Sequence, residues 1–281
     1  MAETAAQINR KPHPVIWTAI IWLLLNAAPG GPSTQTVLDL GTGPYALFAV
    51  MAAELGAEAI ATGHYARTGG GTDGHRHLWR GADRSKDQSY FLARLTQEQL
   101  GRAVFPLAEQ TKQETIQMAA AKGLRPITAG ESQDICFIRE TPYHVFLQHQ
   151  EGFRIKEGLI EDTQGRAIGR HRGLHLFTIG QRRGIDCPAA EPYYVVRLDH
   201  ARNCLIVGPR QELARQTCTV DDINWINPPA FFPADVHAQI RYRHKGAPAR
   251  LTQTSLTTGD LQFATPQDAI TPGQGAVFYR D

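Results

Sequence analysis

The sequence is poor in cysteine. Its 281 residues hold four, Cys136, Cys187, Cys204 and Cys218. They form no Cys-x-x-Cys pair and no cysteine/histidine spacing of a metal site. A disulfide framework is therefore excluded, no metal is expected, and reduced thiols of a cytosolic type are the default. A net charge of one sign is also lacking: the formal charge is +2, so no global basicity announces a polyanion partner and charge must be read locally. The apolar run at residues 15–28 (VIWTAIIWLLLNAA), preceded by Arg10 and Lys11, falls short of the roughly 20 residues a spanning helix needs. No membrane partner is expected. Internal repeats and a low-complexity tail are absent too. What remains is an ordinary globular mix, 42% hydrophobic and 20% charged, long enough for two or three domains.

The chain divides by period. Residues 1–35 are left unassigned; their apolar run reads as a buried or interfacial helix, or as the core of a signal peptide. Residues 36–152 read as an α/β nucleotide-binding-like domain, 153–210 as a small central β-rich domain, and 211–281 as strands and turns that suggest a small β-barrel. In the first domain, residues 36–57 give a strand, a Gly41-Thr42-Gly43 turn and a helix. VLDLGTG resembles the first motif of class I methyltransferases, in which glycines let the backbone approach S-adenosylmethionine. Such a site also wants an acidic residue after the next strand, and here that strand ends Ala61-Thr62-Gly63-His64.

Three helix starts are legible. Ser85 and Gln88 fit a capping box that places Lys86, Asp87 and Gln88 in a helix's first turn, where free N–H groups suit phosphate. Thr111 and Glu114 fit another, closed by Gly123. Thr141 and Pro142 start a third, closed by Gly152. Downstream, residues 158–165 and 167–173 read as strands about a turn, and 193–198 with 204–207 as a hairpin. Two basic stretches stand out: residues 154–183 hold seven Lys/Arg against three acids, and 236–250 hold four Lys/Arg and no acid.

The stretch ESQDICFI, residues 131–138, passes from polar to apolar as a loop enters a short buried strand. Cys136 sits at the junction. It reads either as a small core residue or as a reactive thiol, if positive charge nearby favours the thiolate.

From about Ala57 to Tyr279 the chain resembles the tRNA-specific 2-thiouridylases. The matching stretches are ATGHYAR, SKDQSYFL, DICFI, IGRHRGLHLFTIGQRRG, PYYVVRLD, IRYR and TPGQGAVFY, in that order. The resemblance implies a Rossmann-like adenine-nucleotide-binding domain, a central domain and a C-terminal β-barrel. It implies ATP as cofactor, tRNA as substrate, and a sulfur-relay or cysteine-desulfurase protein as sulfur donor. The implied reaction is ATP-dependent sulfur transfer to C2 of the wobble uridine. A persulfide on one cysteine delivers sulfur and a second cysteine completes the transfer. Cys136 matches the persulfide-bearing cysteine and Gly63 a nucleotide contact. His64, Lys86, Asp87 and Gln88 match tRNA contacts, as do Arg241, Tyr242 and Gln274 in the barrel. The implied compartment is the cytoplasm, or an organelle if the N-terminal run is a targeting sequence.

The departures lie upstream of Ala57 and at the C-terminus. The family's Ser-Gly-Gly-x-Asp-Ser loop for the ATP pyrophosphate is not found, nor is the Asn-Pro…Cys-Asn segment with the other catalytic cysteine, nor the Gly-rich final strand after Asp281. Residues 1–56 match nothing in the family, and the join falls near Ala52-Ala53-Glu54-Leu55-Gly56. The expectation is an incomplete α/β domain, with two rivals left open: a tRNA-binding protein without catalysis, and a methyltransferase fusion.

Overall fold

The computed structural model describes residues 36–38, 58–72, 74–124, 143–150, 152–188 and 191–280. The expectations for the run at 15–28, the Gly41–Gly43 turn, the stretch 131–138 with Cys136, and the Thr141-Pro142 helix start lie outside those residues. Two compact units form, Met1–Gln133 with Asn224–Pro228, and Asp134–Ile223 with Pro229–Asp281.

The first unit has a parallel sheet of β1 (Thr36–Leu38), β2 (Ala59–Ala61) and β5 (Ala103–Val104), in the order β1-β2-β5. Parallel strands need long crossovers and covered faces, which marks the α/β class read from the sequence. Between β2 and β5 lie a hairpin, β3 (Ala66–Gly70) with β4 (Arg76–Arg80), and two short helices, α1 (Ser89–Leu92) and α2 (Gln97–Arg102). Ala66, Leu92 and Phe105 form a buried cluster, with Leu78, Leu95, Ala103 and Ala108 packed around it. Asn224 joins this unit through its amide, which donates to the carbonyls of Ala93 (2.9 Å) and Leu95 (3.0 Å). Helix α3 (Lys112–Ala121) starts as expected. The Thr111 hydroxyl accepts from Glu114 N–H, and the Glu114 carboxylate accepts from Thr111 N–H. It ends at Gly123, whose φ of +72° lets Leu124 N–H return to Ala119 O.

The expected Ser85–Gln88 capping box does not form. Asp83 takes both the N–H and the hydroxyl of Ser85, so Ser85 donates where a cap must accept. The Gln88 amide oxygen turns instead to Tyr65 N–H. The helix begins only at Ser89, and residues 84–86 are a turn. Gln88 N–H also goes to Tyr65 O and Lys86 N–H to Asp83 O, so two of the free helix-start donors expected there are engaged.

In the second unit, α4 (Tyr143–Gln148) precedes a four-stranded sheet of order β7-β6-β9-β8, made of β6 (Gly158–Asp162), β7 (Ala167–His171), β8 (Tyr194–Asp199) and β9 (Cys204–Gly208). Both hairpins expected there are present, β6–β7 and β8–β9. The central β6–β9 pair is parallel, which the local pattern did not announce. All five residues of β9 are buried, and Ile160, Leu174, Phe177, Ile185, Val195, Leu205 and Val207 form the core. At Gly158 any Cβ would run into Asn203 O, so glycine is required where β6 meets the hairpin turn.

The C-terminal strands are β10 (Ala214–Val220), β11 (Ala234–Gln239), β12 (Ala247–Gln253), β13 (Gly259–Asp268) and β14 (Val277–Tyr279). They make one antiparallel sheet of order β10-β13-β12-β11-β14. Its inner face is Val236, Ala238, Ala249, Leu251, Leu261 and Phe263, all buried, following the period-two pattern.

Candidate functional site

In the first unit the site residues gather just past the carboxyl end of β2. Gly63 follows β2 at that end, the end at which parallel α/β sheets bind nucleotides. Thr62 N–H bonds Val104 O (3.0 Å), which extends the β2–β5 pairing by one residue. The Thr62 hydroxyl pairs with His64 Nδ1 (2.5 Å), and the His64 ring meets Phe105 edge-on. Tyr65, 6% exposed, anchors the turn: its hydroxyl donates to Thr115 Oγ1 (3.1 Å) and Lys112 Nζ lies 5.7 Å from its ring centre.

The Lys86-Asp87-Gln88 triplet is brought to the same place, but two of its side chains face inward to the fold. Asp87 accepts from Gly81 N–H (2.9 Å), from Ser89 N–H (3.2 Å) and from the Ser89 hydroxyl (2.9 Å). Gln88 brackets Tyr65, as described above. Asp83, beneath the turn, accepts from Lys112 N–H (2.9 Å) at the start of α3. That bond first, then the Ser85 hydroxyl, holds its carboxyl below the usual carboxylate range.

Arg241, Tyr242 and Gln274 converge in the second unit. Residues 240–246 link β11 to β12 and residues 269–276 link β13 to β14. The pairing Gln239↔Val277 and the β12–β13 register place both loops at one end of the sheet. Arg241 and Gln274 are exposed and Tyr242 is 44% exposed. The loops are braced from within. Buried Gln239 donates its amide to Tyr242 O (2.8 Å) and Arg241 O (3.4 Å). Arg241 Nη1 donates to Asp268 O (3.4 Å), Arg210 pairs with the Asp268 carboxylate (3.0 Å), and His244 Nε2 pairs with Gln267 Oε1 (3.0 Å). Gln239 was missed in the sequence. Its one signal is a polar residue between Ala238 and Ile240, which are both buried.

The charge of residues 154–183 is redistributed by folding. Glu161 is buried and ion-paired to Arg202, and Asp162 to Arg166. Arg154, Lys156, Arg170, Arg172, Arg182 and Arg183 are exposed, with Glu157 the remaining acid. This basic stretch reaches the barrel end. A Cβ on Gly180 would lie 2.8 Å from Ala269 Cβ, and Ala269 N–H bonds Leu213 O.

Three cysteines are described, and none favours a thiolate. Cys204 is buried, and burial followed by Glu161 pushes its thiol up. Burial and Asp260 do the same to Cys218. Cys187 lines an open cleft of about 560 Å³ with Arg182, Asp186 and Tyr193, yet burial and Asp186 raise its thiol as well. Among the described residues no group of His, Cys, Asp and Glu could hold a metal ion, and no helix is long and apolar enough to cross a membrane.

Three domain families match the chain in succession: a tRNA methyl transferase HUP domain over residues 44–140, a tRNA methyl transferase PRC-barrel domain over 144–209, and an aminomethyltransferase beta-barrel domain over 215–281. The first begins at residue 44, which corrects the expectation that residues 1–56 match nothing in the family: the match takes in 44–56. Among curated proteins, the tRNA-specific 2-thiouridylase MnmA of Desulfosudis oleivorans is 54% identical over 228 residues, 81% of this chain and 63% of that protein. The protein of the same name from Geobacter metallireducens is 44% identical over 81% of this chain and 62% of its own length. That of Trichlorobacter lovleyi is 42% identical over 84% of this chain and 67% of its length. The chain thus spans less than two thirds of the first two relatives. With three domains matched in order and this identity across most of its length, the chain belongs to the tRNA-specific 2-thiouridylase family.

Proposed function

We propose that the chain acts on tRNA in sulfur transfer to the wobble uridine, taking sulfur as a persulfide on Cys136. The observation that carries the reading is where the family-matched residues fall. Gly63 and His64 are at the carboxyl end of β2, and Arg241, Tyr242 and Gln274 are on two braced loops at one end of the barrel. A polyanion is suited by this exposed guanidinium-rich end and by the basic residues 154–183.

ATP, when bound, would make the C2 oxygen of the uridine a leaving group. The Gly63 backbone fits its place beside β2; the Ser-Gly-Gly-x-Asp-Ser loop that would hold the phosphates is not found in this sequence. Cys136 would present the terminal persulfide sulfur as nucleophile to C2, the adenylated oxygen leaving as AMP; a second thiol would then attack Cys136 Sγ, leaving the sulfur on the uridine and Cys136 in a disulfide with that thiol. Burial and neighbouring carboxylates raise the thiols of Cys187, Cys204 and Cys218, which supports Cys136 as the sulfur acceptor. The donor would be a cysteine desulfurase or a sulfur-relay protein.

A methyltransferase reading is weaker. Its cofactor wants a carboxylate after the second strand, and β2 runs into Thr62, Gly63 and His64. A second reading, tRNA binding without catalysis, is favoured by one observation: no other described thiol is disposed to complete the transfer. The deciding test incubates the purified chain with tRNA, ATP and a sulfur-loaded desulfurase and assays 2-thiouridine by mass spectrometry. Its formation supports full sulfur transfer. Bound tRNA and a Cys136 persulfide without 2-thiouridine select the second reading. Neither product sinks both.

A further inference from the structure

We infer that the outer face of the β3–β4 hairpin is a stacking platform, on which Trp79 takes an unpaired base of the tRNA. The inference rests on the tRNA reading above and adds a contact to it. The hairpin register sets Arg67 opposite Trp79 and Gly69 opposite His77, so these four residues share one face. The alternate residues Ala66 and Leu78 turn the other way, into the cluster with Leu92 and Phe105. Trp79 therefore stands on the face turned away from the core, and 41% of it is exposed.

A single exposed aromatic says little by itself. Trp79 is held in a particular way. Its ring stacks with that of His77, the centroids 5.5 Å apart and the planes 20° from parallel. A Cβ on Gly69 would lie 3.2 Å from Trp79 Cζ3, so the six-membered ring reaches across to β3 over a residue without a side chain. The indole is thus ordered by a neighbouring ring and by the glycine it overlies. A side chain ordered in advance loses little freedom when a ligand settles on it.

Charge and position select the occupant. Residues 64–94 hold six Lys/Arg against three acids. Two of those acids are engaged by backbone N–H groups, Asp83 by Lys112 and Asp87 by Gly81. Arg67, directly across from Trp79, is braced by Arg80 O (3.0 Å) and Glu109 (3.6 Å), and Arg76 is exposed on β4. An aromatic surface among guanidinium groups suits a nucleobase and its phosphate. Arg67 is four residues beyond Gly63, no more than about 14 Å along the chain. A loop that offers its uridine at the Gly63-His64 turn can therefore set a neighbouring base on Trp79.

The experiment measures affinity for tRNA, for single-stranded oligouridylate and for a fully paired RNA duplex. It compares the full chain with Trp79→Leu and Trp79→Phe. Stacking needs a π face, which Phe keeps and Leu lacks. Trp79→Leu should weaken tRNA and oligouridylate binding about tenfold, and Trp79→Phe should stay within about threefold of the parent. Stacking neutralises no phosphate, so the salt dependence should keep the same slope in all three proteins. Duplex affinity should not change. Equal tRNA affinity in Trp79→Leu and the parent overturns the platform, and so does an equal loss on the duplex. If Trp79→Leu fails to fold, tryptophan emission decides: quenching by tRNA that Trp79→Phe lacks supports the platform, and the same quenching in both overturns it. A parent that binds none of the three RNAs sinks the tRNA reading with the platform. Firm tRNA binding that Trp79→Leu leaves unaltered sinks the platform alone.

Discussion

Cys136 is the proposed persulfide carrier because its stretch matches the family motif. A thiol takes up sulfur as its thiolate, and burial opposes the thiolate at Cys187, Cys204 and Cys218. Incubation with a loaded cysteine desulfurase should add one sulfur to the Cys136 peptide and none in Cys136→Ser. Peptide mass spectrometry that finds the sulfur chiefly on another cysteine refutes the assignment. Acid sensitivity is a second residue-level consequence. Asp162 is buried at the β6–β7 turn, where Arg166 N–H first, then the Arg166 guanidinium and Gln164 N–H, hold its carboxyl below the ordinary range. The folded carboxyl is thus more acidic than the unfolded one. Its contribution is whole above about pH 4 and fades as the pH falls through the folded value. Melting curves should therefore fall more steeply on acidification for the parent than for Asp162→Asn, and parallel profiles would contradict this. Of these residues the sequence showed the cysteine and the Gly165 turn. It did not show that Asp162 folds inward, because a charged residue beside a turn ordinarily reads as exposed.

At the scale of elements, what was legible depended on how local the controlling bonds were. The Thr111–Glu114 box involves residues three apart and nothing else, so it could be read directly. The Ser85–Gln88 box failed because Asp83 and Tyr65 compete for the same side chains, and the Tyr65 bond spans 23 positions. The parallel β6–β9 pair escaped for the same reason, since hairpin signals are local and crossovers are not. Thr111→Ala should cost about 1 kcal/mol of stability by urea denaturation, the usual worth of an N-cap, because α3 has no fully buried side chain to lose with it. Phe263→Ala, at a site 1% exposed in β13, should cost about 3–5 kcal/mol by the same measurement. A smaller loss at Phe263 than at Thr111 would mean that the barrel core is not where its strand register places it.

For the molecule as a whole, near-neutral net charge conceals a strongly uneven surface. Two of the three acids in residues 154–183 are drawn inside by Arg166 and Arg202, leaving arginines outside. Counting charges along the chain located the basic stretches, but the burial of their acids became visible only in the fold. Gln239 and Asp268 brace the loops that present Arg241 and Tyr242, and neither role follows from local pattern. The most direct test of an action on tRNA is a salt titration of binding. Affinity of the purified chain for tRNA should fall steeply, by about a hundredfold or more between 50 and 200 mM salt, if several phosphates are neutralised. Arg241→Ala should lower the slope of log affinity against log salt by about one unit. An affinity that hardly changes over that range, or a slope indifferent to Arg241, would contradict tRNA binding at the basic end of the barrel.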